Sequence, residues 1–196
     1  MNRAADGDDR PTMEFASAAD FETWLAAEHR ASTGIWLKIA KKATGIASVD
    51  YSQALDVALC YGWIDGQKDR IDDTYWLQRF TPRTATSRWS QVNRQRVEKL
   101  ITDDRMRPAG LAEVERAKAD GRWDAAYASQ KTIEVPADLR QALDQDPEAS
   151  AFFATLDSRN RFSVLYRIGD AKRPATRAAR IAKYVAMLHD HEKIHP

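Results

Sequence analysis

The apolar positions of this chain change period several times, and each change marks an element. Phe21, Trp24 and Leu25 recur at helical spacing behind Ser17, a capping residue that Asp20 follows three positions on. A helix of about three turns is expected there. After the Ser32-Thr33-Gly34 turn, residues 35–40 are rich in strand formers and apolar on both faces, the pattern of a buried strand. Residues 41–45 read as a solvated loop. Asp50 and Gln53 form a capping box ahead of Ala54, Val57, Ala58 and Tyr61, which share a helix face that Leu55 and Leu59 widen. This helix is expected to be central and to stop at Gly62, where the chain needs a residue at positive φ.

Residues 67–71 and 75–80 read as two short strands around an Asp72-Asp73-Thr74 turn. The hairpin is expected to pair with the strand at Ile35 and to end at Thr81-Pro82, because proline cannot donate to a ladder. Thr86 or Ser87 then caps a helix to about Ile101, with Trp89, Val92, Val97, Leu100 and Ile101 on its face and Asn93 on or beside it. Pro108 opens a helix on Leu111, Val114 and Ala117 or Lys118 that Gly121 ends, and Trp123, Ala126 and Tyr127 follow as a packed turn. Beyond residue 135 only helical periods occur, starting at Pro136, Asp146-Pro147, Ser158 and Pro174. The last repeats Ile181, Tyr184, Val185 and Leu188 on one face.

These periods predict a predominantly helical α+β protein, with a small antiparallel sheet, packed helices and an all-helical C-terminal segment. The expected division is a disordered leader at residues 1–14, an α+β core domain at 15–128 and a helical segment at 129–196. That segment is short for a self-sufficient core, so it is expected to pack on the domain before it.

Composition narrows the function classes. A net charge of +1 gives no global pull toward nucleic acid or membrane. The single cysteine, Cys60, excludes an internal disulfide and fits a reducing compartment. No stretch approaches the roughly 20 apolar residues of a membrane span. The acidic N-terminus, with Asp6, Asp8 and Asp9, lacks the apolar run of a secretory signal. A cytoplasmic protein without a membrane partner is expected. No complete nucleophile, metal or phosphate motif is present, and neither a cofactor nor a metal is expected. His189, His191 and His195 read either as a metal-binding run or, more simply, as a solvated tail.

Two stretches carry the candidate chemistry. Trp63, Asp65 and Gln67 alternate after the Gly62 stop, so all three side chains could line one surface with Asp65 as a general base. The competing reading makes Trp63 core and Asp65 the cap of a turn before Gly66. From Arg79 to Lys99 there are six basic residues and one acidic, a local net of +5. Arg79, Arg83 and Arg88 offer contacts to a carboxylate or phosphate, Ser87 and the following helix start favour an anion, and Trp89 offers a stacking surface. The competing reading pairs those arginines with Asp65, Asp69, Asp72 and Asp73 and stacks them on neighbouring Trp rings to close the sheet edge. A third basic run, Arg159 to Lys183, has a local net of +7 and places Arg173, Arg177 and Arg180 on one face. It reads as a nucleic-acid or acidic-partner surface, or as a solvated face paired with carboxylates. Cys60 lies near the C-terminal end of its helix among apolar residues and reads as an inert buried thiol.

Several motifs in one order give the chain a resemblance. Gly34-Ile35-Trp36-Leu37 with Lys41-Lys42, the run from Ala58 to Gln67, Arg79-Phe80-Thr81-Pro82-Arg83 and Ser87-Arg88-Trp89-Ser90-Gln91-Val92-Asn93 come first. Met106-Arg107-Pro108-Ala109-Gly110-Leu111, Gly121-Arg122-Trp123-Asp124-Ala125-Ala126-Tyr127 and the closing segment from Ala171 to Ile181 come after them. Together they resemble the YdeI/OmpD-associated family, also labelled bacteriocin-protection proteins. At Asp104-Arg105 that family's pattern leads one to expect glycine. The resemblance implies a bacterial cytosolic protein and brings no catalytic residue set with it.

The function expected from these readings is protection against stress or a toxic compound, by binding an anionic or aromatic small molecule. The ligand residues expected are Trp36, Trp63, Gln67, Arg79, Arg83, Ser87, Arg88, Trp89 and Asn93. The alternatives are a small enzyme with Asp65 as acid or base and arginines orienting an anionic substrate, and a nucleic-acid or protein-interaction module. Nucleic acid is the less favoured partner because the whole chain is near neutral.

Overall fold

Ser17 accepts a hydrogen bond from the Asp20 N–H and starts α1 (Ala18–Glu28), which buries Phe21 and Leu25. The computed structural model describes residues 9–130 and 132–196. Residues 1–8 of the expected leader lie outside them. The rest of that leader belongs to the fold, which corrects its boundary. Thr12–Met13 form β1, the Pro11 carbonyl accepts from the Trp36 N–H, and Lys38 pairs with Glu14 at 3.0 Å.

The apolar run at Ile35–Ala40 is β2. A single 3₁₀ turn, Lys42–Thr44, interrupts the loop expected after it. The reciprocal capping box of Asp50 and Gln53 starts α2 (Tyr51–Cys60), and Gly62 ends it at φ 76°. Helix α2 packs against α1 and against β3 (Trp63–Arg70), which is succeeded by β4 (Tyr75–Pro82). The sheet order is β1-β2-β4-β3. β2, β4 and β3 are antiparallel, but β1 runs parallel to β2, so the sheet is mixed rather than purely antiparallel.

Three cross-strand rows share one face of the sheet. Ile35, Phe80 and Asp65 are partners in the first, Leu37, Gln78 and Lys68 in the second, and Ile39, Trp76 and Arg70 in the third. The apolar members of these rows join the core with α1 and α2.

Helix α3 (Gln91–Thr102) starts later than its apolar pattern suggests. Ser90 is its cap, while Ser87 accepts from the Thr84 N–H and closes a loop. The buried face is therefore Asn93, Val97 and Leu100, and Val92 and Ile101 are exposed. Helix α4 (Pro108–Ala119) buries Gly110, Val114 and Ala117 and leaves Leu111 exposed.

Between these helices Asp104, one of the two positions at which the resemblance leads one to expect glycine, adopts φ 53°, the left-handed region that favours glycine. Asp104→Gly is expected to raise stability by about 0.5–1 kcal/mol, the left-handed penalty less the extra chain entropy of glycine. An unfolding midpoint that falls on this substitution would contradict it.

The chain divides into two compact units, Met1–Ala126 and Tyr127–Pro196. The second consists of α5 (Ala137–Asp144), α6 (Pro147–Thr155), α7 (Ser158–Gly169) and α8 (Pro174–His189), with α8 packed against the other three. It has its own core, including Leu139, Leu143, Phe153, Leu165, Ile168 and Leu188.

Candidate functional site

Trp63 comes directly after the Gly62 stop and is carried into the core. Its Nε1–H donates to the His29 carbonyl at 3.2 Å and its ring meets Trp24 edge-on at 5.8 Å, leaving it 1% exposed. A ring held this way is core. Asp65 stays half-buried on the same sheet face and accepts a 2.8 Å hydrogen bond from the Tyr51 hydroxyl, at the first turn of α2. It is a strand residue rather than a turn cap.

Gln67 does not join them. Between Asp65 and Lys68 the β3 register slips by one residue against β4, a bulge at Gly66-Gln67. The buried Gln78 fixes it, donating from Nε2 to the Gly66 carbonyl at 2.9 Å and the Gln67 carbonyl at 3.1 Å. The slip reverses the alternation. Beyond the bulge it is Lys68 and Arg70, instead of Gln67 and Asp69, that take the face of Asp65.

The other expected wall is built differently. Arg79 pairs with Trp36 across β4 and β2 on the opposite sheet face, its guanidinium 6.0 Å from the Trp36 ring and packed on Gly66. Arg83 is 6% exposed; its guanidinium lies 3.5 Å over the Trp89 ring and donates to the Arg88 carbonyl. Trp89 in turn meets Trp123 at 4.8 Å, and Arg94 covers Trp123 while donating to its carbonyl. This pair of indoles between two cations joins the loop after β4 to the turn after α4. Ser87 serves the loop, and Asn93 is buried in the first turn of α3. The expected ligand residues are thus distributed over two sheet faces and a packed loop, because the bulge and the later start of α3 redirect them.

The structure instead forms a cleft of about 800 Å³ at the end of the hairpin. Tyr51 and Trp76 supply aromatic walls, their ring centres 6.1 Å apart, and Ile39 an apolar one. Four cations border it, Lys41, Lys42, Lys68 and Arg70, against two carboxylates, Asp50 and Asp69. The Lys68 ammonium lies 4.3 Å over the Trp76 ring. Lys41 Nζ donates to the Asp72 carbonyl, and two backbone N–H groups from Thr74 and Tyr75 hold the Asp72 carboxyl below its ordinary pKa. Tyr51 connects this cleft to Asp65. None of the four cations stood out as a site residue in the sequence, since each needs the bulge or the tertiary fold to reach the cleft. Gly66 within a strand was the one local sign of the bulge.

Other candidates are occupied structurally. Cys60 is 3% exposed and burial pushes its thiol pKa to about 11, which leaves it protonated and inert at neutral pH. In the second unit Arg177 donates twice to Asp138, and Arg180 pairs with Asp170. Of the three terminal histidines, His189 and His191 are exposed, as a solvated tail would have them, and bond Asp146 and Glu148 at the surface, while His195 is half-buried and bonds Ser163. Asp146 holds the His189 imidazole above its ordinary pKa. Among the described residues no three His, Cys, Asp or Glu side chains converge to hold a metal.

Two family models match the chain. Residues 13–113, just over half of it, match one described as a domain of unknown function, DUF8412. Residues 132–191 match one described as Bacteriocin-protection, YdeI or OmpD-Associated. The chain belongs to the DUF8412 family, and its C-terminal region carries a YdeI/OmpD-associated family domain. No curated protein and no solved structure matches it. The YdeI/OmpD-associated match covers α5–α8, whereas the cleft and the Tyr51–Asp65 pair lie in the DUF8412 region. No helix among the described residues is long and apolar enough to cross a membrane.

Proposed function

We propose that this protein binds a small aromatic anion in the cleft walled by Tyr51 and Trp76, and that by holding such a compound it protects a bacterial cytosol against it. The observation that carries the reading is the cleft itself: two aromatic walls under a rim of four cations and two carboxylates. An aromatic wall favours a flat apolar ring, and a cationic rim favours a carboxylate or phosphate attached to it. The family's bacteriocin-protection label supports a protective role, and the lone buried thiol supports a reducing compartment.

Calorimetric titration with aromatic carboxylates and nucleotides tests this. Trp76→Ala is expected to weaken binding about tenfold or more, the loss of one stacking wall. Binding unchanged by Trp76→Ala would move the ligand elsewhere. A second reading, an enzyme using Asp65 as acid or base, draws on the Tyr51–Asp65 hydrogen bond beside the cleft. Conversion of the bound compound, rather than its simple retention, separates the two.

A further inference from the structure

The bulge that reverses β3 does more than shift a register. It places Lys68 in the row beside Trp76, and the Lys68 ammonium lies 4.3 Å over the indole. Trp76 is already flanked along its own row by Ile39 and Arg70, so Lys68 reaches the ring from the neighbouring row. Gln78 holds the Gly66 and Gln67 carbonyls just before Lys68, whose side chain is exposed on a flexible four-carbon stem. A ligand ring that stacks on Trp76 from the cleft competes with this ammonium for the indole.

We propose that Lys68 is the specificity residue of the cleft, a cation that guards the Trp76 ring and yields it only to an aromatic ligand that brings its own anion. This rests on the reading of the cleft as a binding site and names the class it selects. A neutral ring that displaces the ammonium loses a cation–π contact and offers the charge nothing in return. An aromatic carboxylate takes over the ring and gives the displaced ammonium an ion pair. Arg70 stands at the same rim without covering the ring; it pairs with Asp73 at 2.6 Å. It therefore separates a guarding role from simple attraction of anions.

The test uses indole-3-carboxylate and indole as probes, titrated calorimetrically into the full chain and into Lys68→Met and Arg70→Met. Methionine keeps an unbranched apolar stem and removes the charge. Lys68 is exposed, and circular dichroism verifies that each variant stays folded. The wild type is expected to prefer the carboxylate. Lys68→Met is expected to weaken the carboxylate about tenfold and to strengthen indole roughly threefold, opposite changes from one substitution. Arg70→Met is expected to weaken the carboxylate and leave indole unchanged. If Lys68→Met lowers both probes alike, or lowers the carboxylate with no gain for indole, the guarding role is overturned and the cleft reading stands. If the folded wild type binds neither probe, the cleft reading falls and the role of Lys68 falls with it.

Discussion

Trp63→Ala is expected to destabilise the N-terminal unit by about 3–5 kcal/mol, the range for removing a large aromatic side chain from a well-packed core. Trp63 is fully enclosed between the sheet and α1, contacts Trp24 edge-on, and satisfies the His29 carbonyl just past the end of α1. Alanine leaves a cavity the size of an indole and an acceptor without its donor. Trp63→Phe separates the two losses. It refills most of the volume and forfeits only the hydrogen bond and the remaining ring, so a smaller cost of about 1–2 kcal/mol is expected. All six tryptophans lie within residues 24–123, inside the first unit. Tryptophan fluorescence during urea unfolding therefore reports that unit alone. A Trp63→Ala midpoint within experimental error of wild type would show the ring to be a surface group, free to meet a ligand as the sequence also allowed.

The second large effect has a counterintuitive sign. Glycine inside a helix normally weakens it, and Gly→Ala at an exposed helical position stabilises by up to ~1 kcal/mol. Gly110→Ala is expected to do the reverse and cost roughly 2–3 kcal/mol, because it overpacks two backbones. A Cβ at Gly110 would collide with the Cys60 carbonyl oxygen, and it would also meet the Leu59 carbonyl oxygen at 2.8 Å. Both carbonyls belong to the last turn of α2 and have no rotamer through which to retreat. The Arg107 N–H already bonds the Cys60 carbonyl, tying the start of α4 to that same turn. Gly62 faces the crossing from the other side, where a Cβ would meet the Ala109 carbonyl oxygen at 3.0 Å. A stabilised Gly110→Ala variant would mean that α4 stands off α2 and that this crossing is looser than the geometry describes.

Much of the architecture was legible because it depends on local rules. Ser17, the Asp50–Gln53 box and Gly62 announce helix ends through hydrogen bonds and φ values that involve neighbours in sequence. The apolar run of β2 and its pairing with the hairpin derive from periodicity and turn chemistry. The resemblance marked Asp104 or Arg105 as a place for glycine, and the backbone singles out Asp104. The later start of α3 was not, because Thr86, Ser87 and Ser90 are all competent caps. What decides among them is that Ser87 is engaged by the Thr84 N–H.

The sequence by itself determined that the chain is a helix-rich α+β protein with a central, capped α2, a hairpin paired to a buried strand and an all-helical close. It also determined that aromatic and cationic side chains are concentrated around that hairpin. Only the tertiary structure decided which of them share a face. A strand's alternation is strict until a bulge inserts one residue, and then every later side chain changes sides. That bulge is held by a buried glutamine eleven and twelve positions away in sequence, through bonds to the Gly66 and Gln67 carbonyls. It exchanges Gln67 and Asp69 for Lys68 and Arg70 on the face of Trp76, which makes Trp76 the wall of a cationic cleft.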